Sequence, residues 1–289
     1  MKHLPHILLL ALGATAIGAH AEQPEVVWHN EGADTTAITE ILRETLAQRD
    51  LRQSGRTASI ARRFVGRPYV AGTLEGEPEV LRVNLDELDC TTLVETVMAL
   101  SYTLGERRTG WQDYIYNLRR LRYRGGEVDG YPSRLHYICE WAVDNIHRGN
   151  FDDVTRDIPK AVYMVRTIDF MSAHRDKYPA LADSVNYERI RRVESGFRNH
   201  RFPYVKTNDA SDKTVLARLR EGDFVAFVSN LKDLDVTHMG ILVREDDGQL
   251  HVLHASSSEG RVVVSPQPLG EFLRRNRRWI GFRAFRLRD

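Results

Sequence analysis

The chain has 289 residues, 42% hydrophobic and 28% charged. That is enough for one large domain or two small ones around a sizeable core, and too apolar for wholesale disorder. Lys and Arg number 41 against 40 Asp and Glu, a balance that excludes the basic excess of a nucleic-acid-binding surface.

Residues 1–21 read as a cleaved secretory signal. MKHLPH carries one lysine, ILLLALGATAIG is too short for a comfortable membrane span, and Ala19-His20-Ala21 offers the small residues a signal peptidase reads. An uncleaved anchor is the alternative. The expectation is a soluble exported protein, periplasmic or secreted, with no membrane span after cleavage and a signal resembling those of Gram-negative bacteria. Residues 22–289 are expected to form a single domain.

Residues 22–33 are polar and predict a frayed lead. Ile38, Ile41, Leu42 and Leu46 recur at helical spacing. Ser59 to Arg67 predicts a short helix stopped by Gly66 and Pro68. PYVAGTLEGEPE is loop, and Val80–Leu85 alternates like a strand. After Cys90, Leu93, Val94, Val97, Met98 and Leu104 line one helical face. Residues 106–200 predict a mostly helical insertion, with stripes at Trp111, Tyr114, Ile115, Leu118 and Leu121 and at Leu135, Ile138, Cys139, Ala142 and Ile146. From Glu221 the period changes to two: FVAFVSN, THMGILVRE, QLHVLHAS, RVVVSP and WIGFRAFRL predict five strands with turns at Asp247-Gly248 and Glu259-Gly260. Helices first and strands later give an α+β class with a small antiparallel sheet of five or six strands, open or curled into a barrel.

The chain has two cysteines. In an exported protein Cys90 and Cys139 could pair as a disulfide. Cys139 lies on an apolar stripe, which predicts buried packing. Cys90 sits at the mouth of a helix, in LDELDCTTLVETVMAL. There the unpaired N–H groups and the dipole favour thiolate and offer donors to an oxyanion. Thr92-Leu93-Val94-Glu95 also fits a capping box, which would begin the helix two or three residues later. A thiolate nucleophile needs a base. Alternation puts His254 on the face of Leu250 and Val252, and His238 on the face of Gly240 and Leu242; the Asp246-Asp247-Gly248 turn makes their strands neighbours. His251 falls on the other face and is expected to be exposed. The trio could serve as nucleophile, base and orienter. A zinc site from the same three residues lacks any CxxC or HxxxH spacing. The arginine-rich run Phe272–Trp279 is expected to be a solvated face, with contact to an anionic polymer or membrane surface as the alternative.

Gly66-Arg67-Pro68-Tyr69, LDCTTLVE, EGDFVAF, THMGI and LHAS, in that order, resemble the NlpC-type, papain-like cell-wall peptidase superfamily, over roughly Ser59–Leu104 and Glu221–Leu287. DCTTLVE, YPSRLHY, DVTHMG and LHASS resemble its N-acetylmuramoyl-L-alanine amidase-like branch, whose added helical region the middle of this chain would supply. The resemblance implies a papain-like core with the nucleophile helix packed on the sheet. It implies hydrolysis of the amide joining the muramic lactyl group to L-alanine in peptidoglycan or muropeptides, with a preference for anhydro-muramyl ends. It assigns Cys90 as nucleophile, His238 as base, His254 as orienter, Tyr69 as a site-lining group that helps hold the oxyanion, and Asp89 as a cap. Arg134, His136 and Tyr137 become substrate contacts, with Asp235 and Thr237 as weaker ones. No metal or cofactor is implied. A stem-peptide endopeptidase cutting between D-glutamate and diaminopimelate, or a non-catalytic peptidoglycan-binding protein with Cys90 paired to Cys139, are the alternatives.

Overall fold

A computed structural model describes residues 26–47 and 52–288; the predicted signal at 1–21 lies outside them. In chain order the elements are β1 (Val26–Trp28), α1 (Glu31–Leu46), α2 (Gln53–Arg62), β2 (Leu81–Val83), α3 (Cys90–Gly105), α4 (Trp111–Arg122), α5 (Ile138–His147), β3 (Phe151–Asp153), β4 (Val162–Arg166), α6 (Phe170–Ala173), α7 (Ser184–Ser195), β5 (His200–Lys206), α8 (Lys213–Leu216), β6 (Phe224–Ser229), β7 (Val236–Arg244), β8 (Leu250–Ser256), β9 (Arg261–Pro268), α9 (Leu269–Arg275) and β10 (Trp279–Leu287). This is a mixed α+β fold.

The five strands expected after Glu221 are β6 to β10. They belong to a larger antiparallel sheet of order β4-β5-β10-β6-β7-β8-β9, with β3 also pairing along β10. The middle of the chain holds the helices α4 to α7 and also contributes strands. It donates β3 and β4 to the sheet, with β5 following at its end, while α4 and α5 carry the expected helical stripes. Residues 26–28 are not frayed but pair in parallel with β2. The second helix begins earlier than Ser59 and ends at Arg62, with Gly66 at φ +92° in the turn beyond it.

Alternation gives the sheet two apolar faces. Phe224, Ala226, Met239, Ile241, Val243, Leu253 and Ala255 share one core with Leu93, Val94, Val97 and Met98 of α3. Val225, Phe227, Leu242, Leu250 and Val252 face the other way and share a core with Leu269 and Leu273 of α9 and Val215 of α8. Each of the valine, leucine, isoleucine, phenylalanine and methionine side chains, fully buried, stabilises the fold by about 1.5–3 kcal/mol. His251 is not exposed. It is buried because β9 pairs alongside it, with Nδ1 at 2.8 Å from the Ser265 carbonyl and Nε2 at 3.1 Å from Asp247.

A buried ion pair fixes α4 to α3: Arg122 Nε donates to Glu95 Oε2 at 2.6 Å, and its Nη1 donates to the Arg82 carbonyl at 2.6 Å. Glu95 is thus committed to α4 and takes no part in capping α3.

Candidate active site

The start of α3 is set by Asp89. Its carboxylate accepts from the Thr91 and Thr92 amides at 2.9 and 2.8 Å, and the Thr92 hydroxyl accepts from the Asp89 amide at 2.8 Å. This reciprocal capping box begins the helix at Cys90 rather than two or three residues later. It has a chemical consequence. The Thr91 and Thr92 amides are spent on the cap, and the Leu93 amide donates to the Asp89 carbonyl. The amide of Cys90 itself is the first-turn donor left for a ligand.

Cys90 is free and half-buried. The Met239 amide, next in sequence to His238, acts on its sulfur in the direction that favours the charged form. Burial, and then the Asp89 carboxylate, push the thiol up to about 11, against the smaller opposing pull of the Met239 amide, the Thr91 side chain and its own amide. Burial and the capping carboxylate thus work against the expected thiolate. The helix-end field is offset by the carboxylate that caps it, and desolvation does the rest. At pH 7 roughly one thiol in 10⁴ is then ionised. Alkylation of Cys90 by iodoacetamide should accordingly accelerate about tenfold per pH unit from pH 7 to 10. A rate that is already flat at neutral pH would mean a standing thiolate–imidazolium pair instead.

His238 and His254 are brought together by the β7–β8 pairing. His238 Nε2 lies 2.8 Å from His254 Nδ1, with the rings perpendicular and their centroids 4.9 Å apart. Gly240 makes this approach possible. A Cβ there would meet Val252 Cγ1 at 2.6 Å, the Leu253 carbonyl at 2.9 Å and His254 Cβ at 3.3 Å. Burial, followed by the His254 charge, lowers His238 to about 3, and burial lowers His254 to about 4. Both rings are neutral at neutral pH. If Nε2–H of His238 donates to His254, Nδ1 of His238 is left as an acceptor for the thiol proton.

The two histidines do not lie on the sheet face that carries α3. They share the opposite face with Leu242 and Val252, under the segment that joins α9 to β10. There Trp279 lies parallel to His238 (6°, 5.5 Å) and donates from Nε1 to Thr237 Oγ1 at 3.2 Å. Phe227 lies 5.8 Å from His238, and Phe272 meets His254 edge-on at 5.0 Å. Phe272 and Trp279 escaped sequence reasoning, although they bracket the arginine run; Arg274, Arg275, Arg277 and Arg278 between them are solvent-exposed, as expected.

Tyr69 stands beside the nucleophile: burial raises its hydroxyl, and the neighbouring Cys90 and Asp89 charges raise it further. Arg134 is buried and held by carboxylates, with Nη2 3.0 Å from Glu75 and Nε 3.4 Å from Glu79. His136 stacks near Tyr131 at 4.4 Å and touches the Tyr131 carbonyl at 2.9 Å. Tyr137 is buried; its hydroxyl donates to Glu194 at 2.6 Å and accepts from the Met171 amide at 2.7 Å. Asp235 is buried too, accepting from the amides of Val236 and Cys139 at the start of α5. The structure thus occupies Tyr137 and Asp235 with internal work, and gives Thr237 the indole of Trp279. Cys139 is buried among Phe202, Tyr204 and Val228, with Arg283 Nη1 at 3.5 Å from its sulfur; it forms no disulfide with Cys90.

Comparison with known proteins follows this geometry. No curated protein matches the chain. An N-acetylmuramoyl-L-alanine amidase from Bacteroides uniformis is 35% identical, superposes with a TM-score of 0.78, and is matched over 82% of this chain and 99% of its own. A Bacteroides fragilis protein provisionally named a xylanase is 36% identical over 78% of this chain and 99% of its own, with a TM-score of 0.73. A Legionella pneumophila protein at 20% identity, covering 90% of this chain and 97% of its own with a TM-score of 0.67, shares the fold. The family model AmiA-like, described as N-acetylmuramoyl-L-alanine amidase-like, matches residues 59–282, from α2 into β10 and across Cys90, His238 and His254. The chain therefore belongs to the AmiA-like, N-acetylmuramoyl-L-alanine amidase-like family.

Proposed function

We propose that this protein is a cysteine-dependent peptidoglycan amidase of the NlpC-type, papain-like kind, exported to the periplasm or beyond by the signal at residues 1–21. It hydrolyses the amide between N-acetylmuramic acid and L-alanine, with anhydro-muramyl ends preferred. The observation that carries this reading is the 2.8 Å contact between His254 and His238, the latter next in sequence to Met239, whose amide acts on the Cys90 thiol.

The reaction starts from a neutral thiol and a neutral imidazole. As the sulfur attacks the lactyl carbonyl, its proton passes to His238 Nδ1, and His254 accepts from Nε2–H of the imidazolium that forms. The oxyanion is met by the Cys90 amide and the Tyr69 hydroxyl. His238 then protonates the departing amine of L-alanine, leaving a thioester on Cys90. Water, deprotonated by the same imidazole, releases the muramic acid and restores the thiol. Because thiol and base are both neutral at rest, proton transfer is coupled to attack.

The identity of the bond is read by digesting defined muropeptides, with and without the anhydro end, and weighing the products. The expected products are the saccharide and an intact stem peptide beginning with L-alanine, formed faster from the anhydro substrate. A truncated peptide beginning at diaminopimelate would place the cut in the stem and overturn the assignment.

A further inference from the structure

The segment between Tyr69 and β2 has features that the catalytic reading leaves unused. It leaves the site at Tyr69, and its Thr73 and Leu74 line a small cavity together with Thr92 and Thr96 of α3. Glycines stand on either side of Glu75: Gly72 at φ +76° and Gly76 at φ +149°. Both conformations are open to glycine and strained for other residues. Between these hinges Glu75 turns back so that its amide donates to the Gly72 carbonyl at 3.0 Å, and its carboxylate takes the Arg134 guanidinium at 3.0 Å.

The two carboxylates on Arg134 are unequal. The Glu79 side chain is 2% exposed and accepts from the Tyr123 hydroxyl at 2.8 Å, while its second oxygen has no hydrogen bond among the described residues. The Glu75 side chain is 53% exposed. Arg134 itself is 7% exposed at the side chain and lies over the Tyr131 ring at 5.0 Å. Glu79 is therefore a permanent counter-ion that keeps the buried guanidinium charged. Glu75 is a removable one, carried on a hinged strap that could return its carboxylate to water at little desolvation cost.

We infer that Arg134 is a carboxylate-binding site for the substrate's peptide, and that Glu75 occupies it in the free protein as a built-in competitor. The inference rests on the peptidoglycan reading and refines it. The strap swings out about Gly72 and Gly76, and an acidic stem peptide places a carboxylate on the Nη2 edge that Glu75 vacates. Its counterpart with that carboxylate amidated cannot replace the lost charge, so the site selects acidic stems over amidated ones. Exchange of like for like leaves Arg134 paired throughout, so the buried cation is never left bare.

The test is equilibrium binding by calorimetry of the dipeptide L-alanyl-D-glutamate and of the form amidated at the carboxylate a stem peptide leaves free, L-alanyl-D-isoglutamine. Both are titrated into the full-length protein carrying Cys90→Ala, with and without Glu75→Gln. Loss of the competing carboxylate should tighten the acidic peptide about tenfold and leave the amidated one unchanged. In Arg134→Lys, which retains a charge for Glu79 and whose folding is checked by its melting transition, the preference for the acidic peptide should fall. Equal affinity of the acidic peptide with and without Glu75→Gln, or equal tightening of both peptides, would overturn the inference. Because binding is read on a nucleophile-less protein, the result does not depend on turnover, and the muropeptide digest reports separately on which bond is cut.

Discussion

Cys90→Ala should abolish release of the stem peptide, lowering kcat by at least about 10⁵-fold, with muropeptide binding retained. The alanine keeps the helix start, because the cap is made by Asp89 and Thr92 and not by the cysteine. It keeps the backbone amide at that position, so the oxyanion donor survives. Only the sulfur is lost, and with it the thioester. The measurement is a single-turnover digest followed by mass, with an affinity measurement on the same protein. Substantial hydrolysis by the alanine variant would mean that the histidine pair activates water directly and that the thiol is a bystander.

The second large effect lies at His254. Replacement by alanine should cut kcat about 10²–10⁴-fold while KM moves little. His254 touches the base and not the substrate in this scheme. Its Nδ1, 2.8 Å from His238 Nε2, selects the tautomer that leaves Nδ1 of His238 free. Asparagine is the informative rescue, because its Oδ1 falls near the place of Nδ1 and can accept the same hydrogen bond. His254→Asn should recover a good part of the activity that His254→Ala loses. If the two variants are equally impaired, the hydrogen bond is not what His254 contributes. If KM carries the loss, the ring is a substrate contact.

Much of this was legible in the sequence, and the parts that were not have physical causes. Strands β6 to β10 were visible because half-buried antiparallel strands alternate. Strands β4 and β5 were hidden: β4 turns Tyr163 and Val165 to solvent, so apolar residues occupy its outer face, and β5 carries Pro203 inside the pairing. The pairing of His238 with His254 could be anticipated because a short turn joins their strands. The covering of His238 by Trp279, three strands further along the chain, could not, since nothing local ties an indole to a remote imidazole. Asp235 looked like a site residue from its place just before Thr237. Its actual partner, the Cys139 amide, lies 96 positions upstream. The helix-end field on Cys90 was readable from the pattern. The burial that outweighs it depends on what the sheet brings against the sulfur.

The position of β10 has a consequence for how the molecule comes into being. This strand lies between β5 and β6 and also receives β3, so it is the seam between the two halves of the sheet. Until residues 279–287 are available, β4–β5 and β6–β9 are separate ribbons with open edges, and Trp279 has not yet covered His238. A nascent chain short of that point holds Cys90, His238 and His254 but lacks the indole that covers His238. Assembly of the site is thus tied to synthesis of residues 279–287, which delays hydrolytic competence until that strand has been made.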